Sequence, residues 1–310
     1  MYSFDDIIGE SSAIKRVVAL GKKVCNSKSP IFIYGATGTG KELIVQAIHS
    51  SSIRGKEPFI AQNCAAIPEK LMESTFFGAA RGGYTGAVES KGLLELAGKG
   101  TLYLDELNSM SMEFQGKLLR VLQEGEYRRI GENSLRKSEA RIIASVNETA
   151  DFLLKSNKLR KDLYYRLNVV RIEMPDLSER KEDIPILVEC FIEKLNKSMG
   201  VHISGVDHEA MRILMERDYD GNIRELQHII EGVANIKGEG ILQACDFYTY
   251  GLKNKDMSLR NRLESAEKQY IIEALAICGD NVSEAARLLK IPRQTLQYKM
   301  KRYDIKKIYR

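Results

Sequence analysis

Seven consecutive residues, Gly35-Ala36-Thr37-Gly38-Thr39-Gly40-Lys41, have the composition of a loop that wraps phosphates. The glycines let backbone N–H groups converge on an anion, and Lys41 adds a mobile positive charge. Ile31-Phe32-Ile33-Tyr34 ahead of the loop reads as an apolar strand, and residues 42–49 behind it read as a helix whose positive end faces the same phosphates. The position after the lysine, ordinarily a Ser or Thr whose hydroxyl touches Mg²⁺, is Glu42. A glycine-rich surface turn is the plain alternative; the flanking strand and amphipathic helix favour phosphate binding.

Gly100-Thr101-Leu102-Tyr103-Leu104 is a second buried-type strand, and it ends in the carboxylates Asp105 and Glu106. Successive residues at a strand end point different ways, so one carboxylate is suited to Mg²⁺ and the other to polarising an attacking water. Asn63 closes the strand-like run Pro58-Phe59-Ile60-Ala61-Gln62, and either caps the next segment or holds a catalytic carboxylate. Asn147 follows the strand of residues 141–146, where a polar group can sense a γ-phosphate. Arg160 and Arg166 stand six apart amid apolar residues, as a solvated helix face or as groups reaching a neighbouring subunit's nucleotide. In Gly221-Asn222-Ile223-Arg224-Glu225, Asn222 and Glu225 read as an N-cap and capping-box pair. Arg224 then lies in a first helical turn, where the dipole disfavours a cation unless a phosphate is near.

Strands alternating with helices at this spacing imply a parallel sheet covered on both faces, an α/β nucleotide-binding unit over residues 1–172. Residues 4–21 give a short lead-in and an amphipathic helix, and 114–122 another helix. Two segments break the pattern. Gly82-Gly83-Tyr84-Thr85-Gly86-Ala87 carries an aromatic between glycines and suits contact with a partner, and residues 124–138 form a charged excursion expected to be a mobile loop. After Met174-Pro175-Asp176 the chain is helical over 184–199, 207–217 and 222–236, giving an all-α lid at 173–238. Glycines and mixed polar residues at 239–258 suggest a linker.

The last unit, 259–310, is all-α and basic. It holds twelve Lys/Arg against six Asp/Glu, a net of +6, whereas the whole chain carries +5. Such an excess beside a near-neutral body points to a polyanion, most simply double-stranded DNA. Leu263, Ala266, Tyr270, Ala274 and Ile277 fall at spacings of three and four, a core face or dimer seam. A short helix from Asn281, the turn Lys290-Ile291-Pro292 and a last helix from Arg293 make a helix-turn-helix. Leu296, Met300 and Tyr303 face inward there, and Arg293, Gln294, Gln297, Tyr298, Lys301 and Arg302 offer a reading face for the major groove.

Composition excludes other classes. With 44% apolar and 29% charged residues the chain is globular, and no run approaches the length of a membrane span or a signal peptide, so a cytoplasmic protein without membrane contact is expected. Five cysteines without a CxxC pair and four histidines without ligand spacing give no metal-binding pattern.

Together these stretches resemble the sigma-54-dependent transcription activators, the NtrC-type AAA+ bacterial enhancer-binding proteins, over nearly the whole chain, and within them the subgroup of RocR-type regulators. By that resemblance residues 35–42 are the Walker A loop, in which Glu after the lysine is usual, and Asp105 and Glu106 are Walker B. Asn63 is the switch partner of Glu106, Asn147 is sensor I, Arg160 and Arg166 are trans-acting arginine fingers, and Arg224 is sensor II. Residues 82–87 match the GAFTGA loop that contacts sigma-54, with Gly83 in place of Ala and Tyr84 in place of Phe. The C-terminal helices match a Fis-type DNA-binding domain. The resemblance implies an ATPase using ATP and Mg²⁺, a homo-oligomer from dimer to hexameric ring, and sigma-54 RNA polymerase holoenzyme as partner. A DNA-binding regulator that binds ATP without acting through sigma-54 is the alternative. The family commonly carries a sensor domain ahead of the central one, whereas Phe4-Asp5-Asp6-Ile7-Ile8-Gly9-Glu10 opens that domain almost at residue 1. Either a sensor lies outside this sequence or regulation comes from another protein.

Overall fold

The computed structural model describes residues 1–81, 89–251, 259–303 and 305; for residues 259–266 and 269 it describes the backbone alone. Two compact units result, residues 1–246 and 247–310.

The first unit is built on a five-stranded parallel sheet in the order Phe59–Asn63, Thr101–Asp105, Arg141–Val146, Ile31–Tyr34, Val170–Glu173. The central strands are predominantly apolar because both faces are covered. Alternate residues serve different cores. Phe32, Leu102, Leu104, Ile142 and Ala144 meet Met72, Phe76, Phe114, Leu118 and Leu163 on one face. Ile31, Ile33, Tyr103, Ile143 and Ile172 meet Ile14, Val17, Ile44, Val45 and Ile48 on the other. The helix Lys41–Ser50 therefore packs on the face that carries Tyr103, and its first residue arrives at the strand ends.

Local signals start the covering helices. Ser11, Ser111, Thr149 and Asp207 each accept a backbone N–H three residues on, and such a cap stabilises a helix by about 1 kcal/mol. Arg141, 3% exposed, donates to the carbonyls of Val24 and Cys25 at the end of the helix Ser12–Val24. Burial holds its pKa down to about 10.

The excursion expected to be a mobile loop at 124–138 is a folded hairpin, with Glu126–Tyr127 antiparallel to Arg136–Lys137. Its tip is fastened to the stem of the first excursion, where Gly78–Ala79 pairs with Ser90–Lys91. Ala80 N donates to Ile130 O at 2.9 Å and Ile130 N to Gly78 O at 3.0 Å. Arg129, 7% exposed, forks onto both oxygens of Glu95 and reaches Glu89 at 3.1 Å. Charge in this segment is therefore spent on internal pairing rather than solvation. Residues 82–87 lie outside the described residues.

The lid opens with the turn Leu177–Asp183, kinked at Arg180, and continues as helices Ile184–Met199, His208–Glu216 and Asn222–Lys237. It also contains a parallel strand pair, His202–Val206 with Glu239–Leu242. The linker expected at 239–258 is thus ordered structure through Gly251, including a helix Ala244–Thr249. Gly238 (φ +79°) ends the lid helix just before it, and Gly240 (φ +87°) takes a left-handed position within the strand. Lys237 pairs with Asp246 at 2.6 Å. A second correction concerns Asn222. The N-cap is Gly221, and Asn222 is the first helical residue, buried and at φ +52°. Glu225 keeps its half of the capping box, accepting Gly221 N at 2.9 Å.

The second unit contains helices Leu259–Ile277, Val282–Leu288 and Arg293–Arg302 around Ile271, Ala274, Leu275, Ala285, Ala286, Leu296 and Met300. Asn281 caps the middle helix through Ser283 N and Glu284 N. The seam expected along the long helix divides: Ala274 is core, whereas Tyr270 and Ile277 are exposed. The side chains of Leu263 and Ala266 lie outside the description. No helix among the described residues is long and apolar enough to cross a membrane.

Candidate nucleotide site and nucleic-acid interface

The phosphate loop links the strand Ile31–Tyr34 to the helix Lys41–Ser50 as the sequence pattern requires. Gly38 (φ +81°) and Gly40 (φ +95°) take left-handed conformations that side chains resist. Thr39 is buried and donates to Ala36 O at 2.8 Å, tightening the turn. Lys41 is 9% exposed and donates to Gly35 O at 2.7 Å and Ala36 O at 3.1 Å. Burial lowers its pKa below the ordinary lysine value, against the pull of Asp105 and Glu106, while Arg224 adds to the lowering. Four of the residues singled out from the sequence are therefore electrostatic neighbours. Glu42 instead turns to Gln46, accepting at 3.0 Å, so its side chain serves the helix surface and its place at the helix start is what the loop uses.

Asp105 is oriented by two hydroxyls. Tyr103 donates to Oδ1 at 2.9 Å and Ser145 at 2.5 Å. Burial, then the Asp105 charge, push the Tyr103 pKa far upward, so the phenol stays a donor. Neither hydroxyl stood out in the sequence, although both signals were present: Tyr103 is two residues before Asp105 on one strand face, and Ser145 is the polar member of the strand Arg141–Val146 after its first residue. Glu106 leaves the strand at φ +55°, ψ +48°, a left-handed turn that sends successive carboxylates in different directions.

Asn63 is the register partner of Asp105, and its Oδ1 accepts Ala65 N at 2.8 Å, so it caps the turn that follows its strand. Asn147 lies beside Asn108, whose amide donates to it at 3.3 Å. Arg224 is exposed on the first turn of its helix, and a Cβ on Gly38 would sit 3.2 Å from its own Cβ. The lid thus delivers a cation to the loop.

Arg160 and Arg166 gather elsewhere, against the helix Met112–Glu124. Arg160 forks onto Asp162 at 3.0 and 2.8 Å and donates its N–H to Gln115; Arg166 donates twice to Leu122 O. No phosphate-loop residue is among their partners.

In the second unit Arg293, Gln294, Gln297, Tyr298, Lys301 and Arg302 are all exposed along one helix. Lys299 is turned inward to Glu267 at 2.5 Å, which also accepts from Tyr303 at 2.6 Å, so the basic residues left outside form one face.

Residues 7–173 match the family described as Sigma-54 interaction domain, 178–262 the AAA+ ATPase lid domain, and 262–303 the Bacterial regulatory protein, Fis family. Transcriptional activator RocR of Bacillus subtilis (strain 168) is 42% identical over 319 residues, covering 98% of this chain and 69% of that protein. The Nif-specific regulatory protein of Azotobacter vinelandii is 38% identical, covering 98% and 60%. A signal-transduction and transcriptional-control protein of Clostridium beijerinckii is 42% identical, covering 98% and 49%, so the chain spans about half to two thirds of these relatives' lengths. Among solved structures, NtrX from Brucella abortus in complex with ADP superposes with a TM-score of 0.73 at 31% identity, covering 96% of this chain and 68% of that one; its ATP complex gives 0.72. A phosphate loop facing paired carboxylates, a lid that brings a cation to it, and a Fis-type helix-turn-helix, all matched in order, make this chain a member of the sigma-54-dependent transcriptional activators of the AAA+ class.

Proposed function

We propose that this protein is an ATP-driven activator of transcription, working in the cytoplasm on double-stranded DNA and on RNA polymerase holoenzyme carrying sigma-54. The observation that carries the reading is the gathering of Asp105, Glu106 and Arg224 around Lys41 at one end of the sheet, with Arg160 and Arg166 held away from it. Lys41 and Arg224 would bind the phosphates, and Glu106 would orient the attacking water. Asn147 would register the γ-phosphate.

Asp105 fits a hard divalent cation, since Tyr103 and Ser145 occupy Oδ1 and leave Oδ2 to the metal. No cluster of three or more ligating side chains occurs among the described residues, which suits Mg²⁺ held by one carboxylate, water and phosphate oxygens. Bound there, the ion would neutralise charge on the transferring phosphoryl group.

Arg160 and Arg166 would complete the site of an adjacent subunit, so turnover depends on assembly into a ring, a hexamer by family likeness. An arginine supplied across an interface is worth about 10³-fold or more in phosphoryl transfer. Release of the γ-phosphate would free Glu106 to exchange partners with Asn63, and this would move residues 82–87, including Tyr84 and Thr85, against sigma-54. The DNA-reading helix would keep the ring near its promoter.

A gel shift tests the proposal. Purified protein with ADP and a metal fluoride that mimics the transition state should retard sigma-54. Thr85→Ala should keep ATPase activity and lose that complex and open-complex formation. ATP turnover with no sigma-54 complex under any nucleotide would leave a regulator of a different polymerase form.

A further inference from the structure

Three consecutive peptide planes of the phosphate loop are held from the lid. Asn222 Nδ2 donates to Thr37 O at 3.2 Å, Ile223 N to Gly38 O at 3.1 Å, and Arg180 Nη2 to Thr39 O at 3.0 Å. A trans peptide is planar, and its C=O points opposite to the N–H of the next residue. Turning the carbonyls of Thr37, Gly38 and Thr39 toward the lid therefore turns the N–H groups of Gly38, Thr39 and Gly40 away from it. None of those three N–H groups donates to a protein acceptor among the described residues.

The lid's own side is built with equal care. Asn222 is 3% exposed and sits at φ +52°, a conformation a β-carbon disfavours and asparagine tolerates better than most. Its Oδ1 accepts Leu177 N at 2.7 Å, so one amide joins the first lid turn to the loop. Arg180, 2% exposed, stands at the kink of that turn (φ −141°), and burial lowers its pKa despite Asp183 and Asp176. Asp183, fully buried, takes N–H bonds from Glu10 at 2.7 Å and Ser11 at 2.8 Å. At Gly38 the two parts touch: an added Cβ would lie 2.0 Å from Gly221 O.

We infer that Asn222 is a positioning residue for nucleotide binding: its amide latches the lid to Thr37 and so sets the direction of the phosphate loop's N–H groups without touching the nucleotide. The inference rests on the nucleotide-binding reading above. By linkage, the coupling runs both ways, and nucleotide held by the loop tightens the lid.

Asn222→Asp and Asn222→Gly separate this role from folding. Asp keeps the acceptor for Leu177 N and loses the donor to Thr37 O; Gly is uncharged, takes φ +52° without strain, and loses both bonds. In the full chain, affinity for a fluorescent ADP analogue should fall at least tenfold in both variants, with thermal midpoints measured without nucleotide staying within a few degrees of the parent. Hydrogen exchange should show nucleotide slowing the amides of 177–183 in the parent and leaving them unchanged in both variants.

Affinity within threefold of the parent in Asn222→Gly overturns the latch, and a loss confined to Asn222→Asp assigns the effect to charge repulsion and overturns it too. Losses that track a fall in the nucleotide-free midpoint reduce Asn222 to a folding role. A parent chain that binds no nucleotide would instead sink the reading beneath.

Discussion

The phosphate loop and the DNA-reading helix are both functional surfaces, yet they are made in opposite ways. Around the loop, Lys41, Thr39, Arg180 and Asn222 are buried and tied to the loop's own backbone carbonyls, the last two from 141 and 185 residues away. Along the helix Arg293–Arg302 the outward residues are exposed, and buried Leu296 and Met300, with the half-buried pair of Lys299 and Glu267, set the face. Selectivity for a small anion requires fixed N–H directions, which only a surrounding frame supplies. Binding a long polyanion requires charge and a shape that enters a groove, which one helix supplies by itself.

Substitutions should therefore have steep, local effects in the first region and shallow, graded ones in the second. Lys41→Ala should lower ATP affinity at least a hundredfold in a nucleotide titration while DNA affinity in the same preparation stays within twofold. A matching loss of DNA binding would break the separation. Glu106→Gln should bind ATP within a few fold of the parent and hydrolyse it about 10²-fold or more slowly, the usual range for loss of a general base. Near-normal steady-state turnover would remove that role.

Arg160→Ala should be inactive alone, as should Lys41→Ala, yet mixing the two should restore part of the ATPase rate. An intact finger and an intact loop then meet at mixed boundaries; absence of rescue at every ratio would place Arg160 outside the site. Smallest of all, Lys301→Ala should weaken DNA binding evenly across sequences and reduce the salt-dependence slope by about one. A change confined to one DNA sequence would make Lys301 a base reader instead.

The same contrast governs what the bare sequence reveals. Strands, the glycine-rich loop, the Asp105-Glu106 pair and the reading helix are legible because each depends on residues adjacent in the chain or at one period. Asn222 looked like a helix cap because its type and spacing are those of a cap; its real partners, Leu177 and Thr37, are 45 and 185 residues away. Glycines at 238 and 240 suggested a linker, since flexibility and left-handed turns draw on the same residue. Asn63 reads two ways in sequence, and its Oδ1 caps a turn while its strand register sets it beside Asp105. The hairpin Glu126–Lys137 was hidden because its strands are two residues each and owe their order to Arg129 meeting Glu95 and Glu89.

That last guanidinium has a mechanical consequence. Its planar fork joins Glu95 and Glu89 at once, and with the backbone bonds of Ile130 it ties hairpin, stem and the short helix Leu93–Ala97 into one body. Any pivot then falls outside them, and replacing Arg129 with Lys would leave the backbone bonds of Ile130 to carry the join between hairpin and stem.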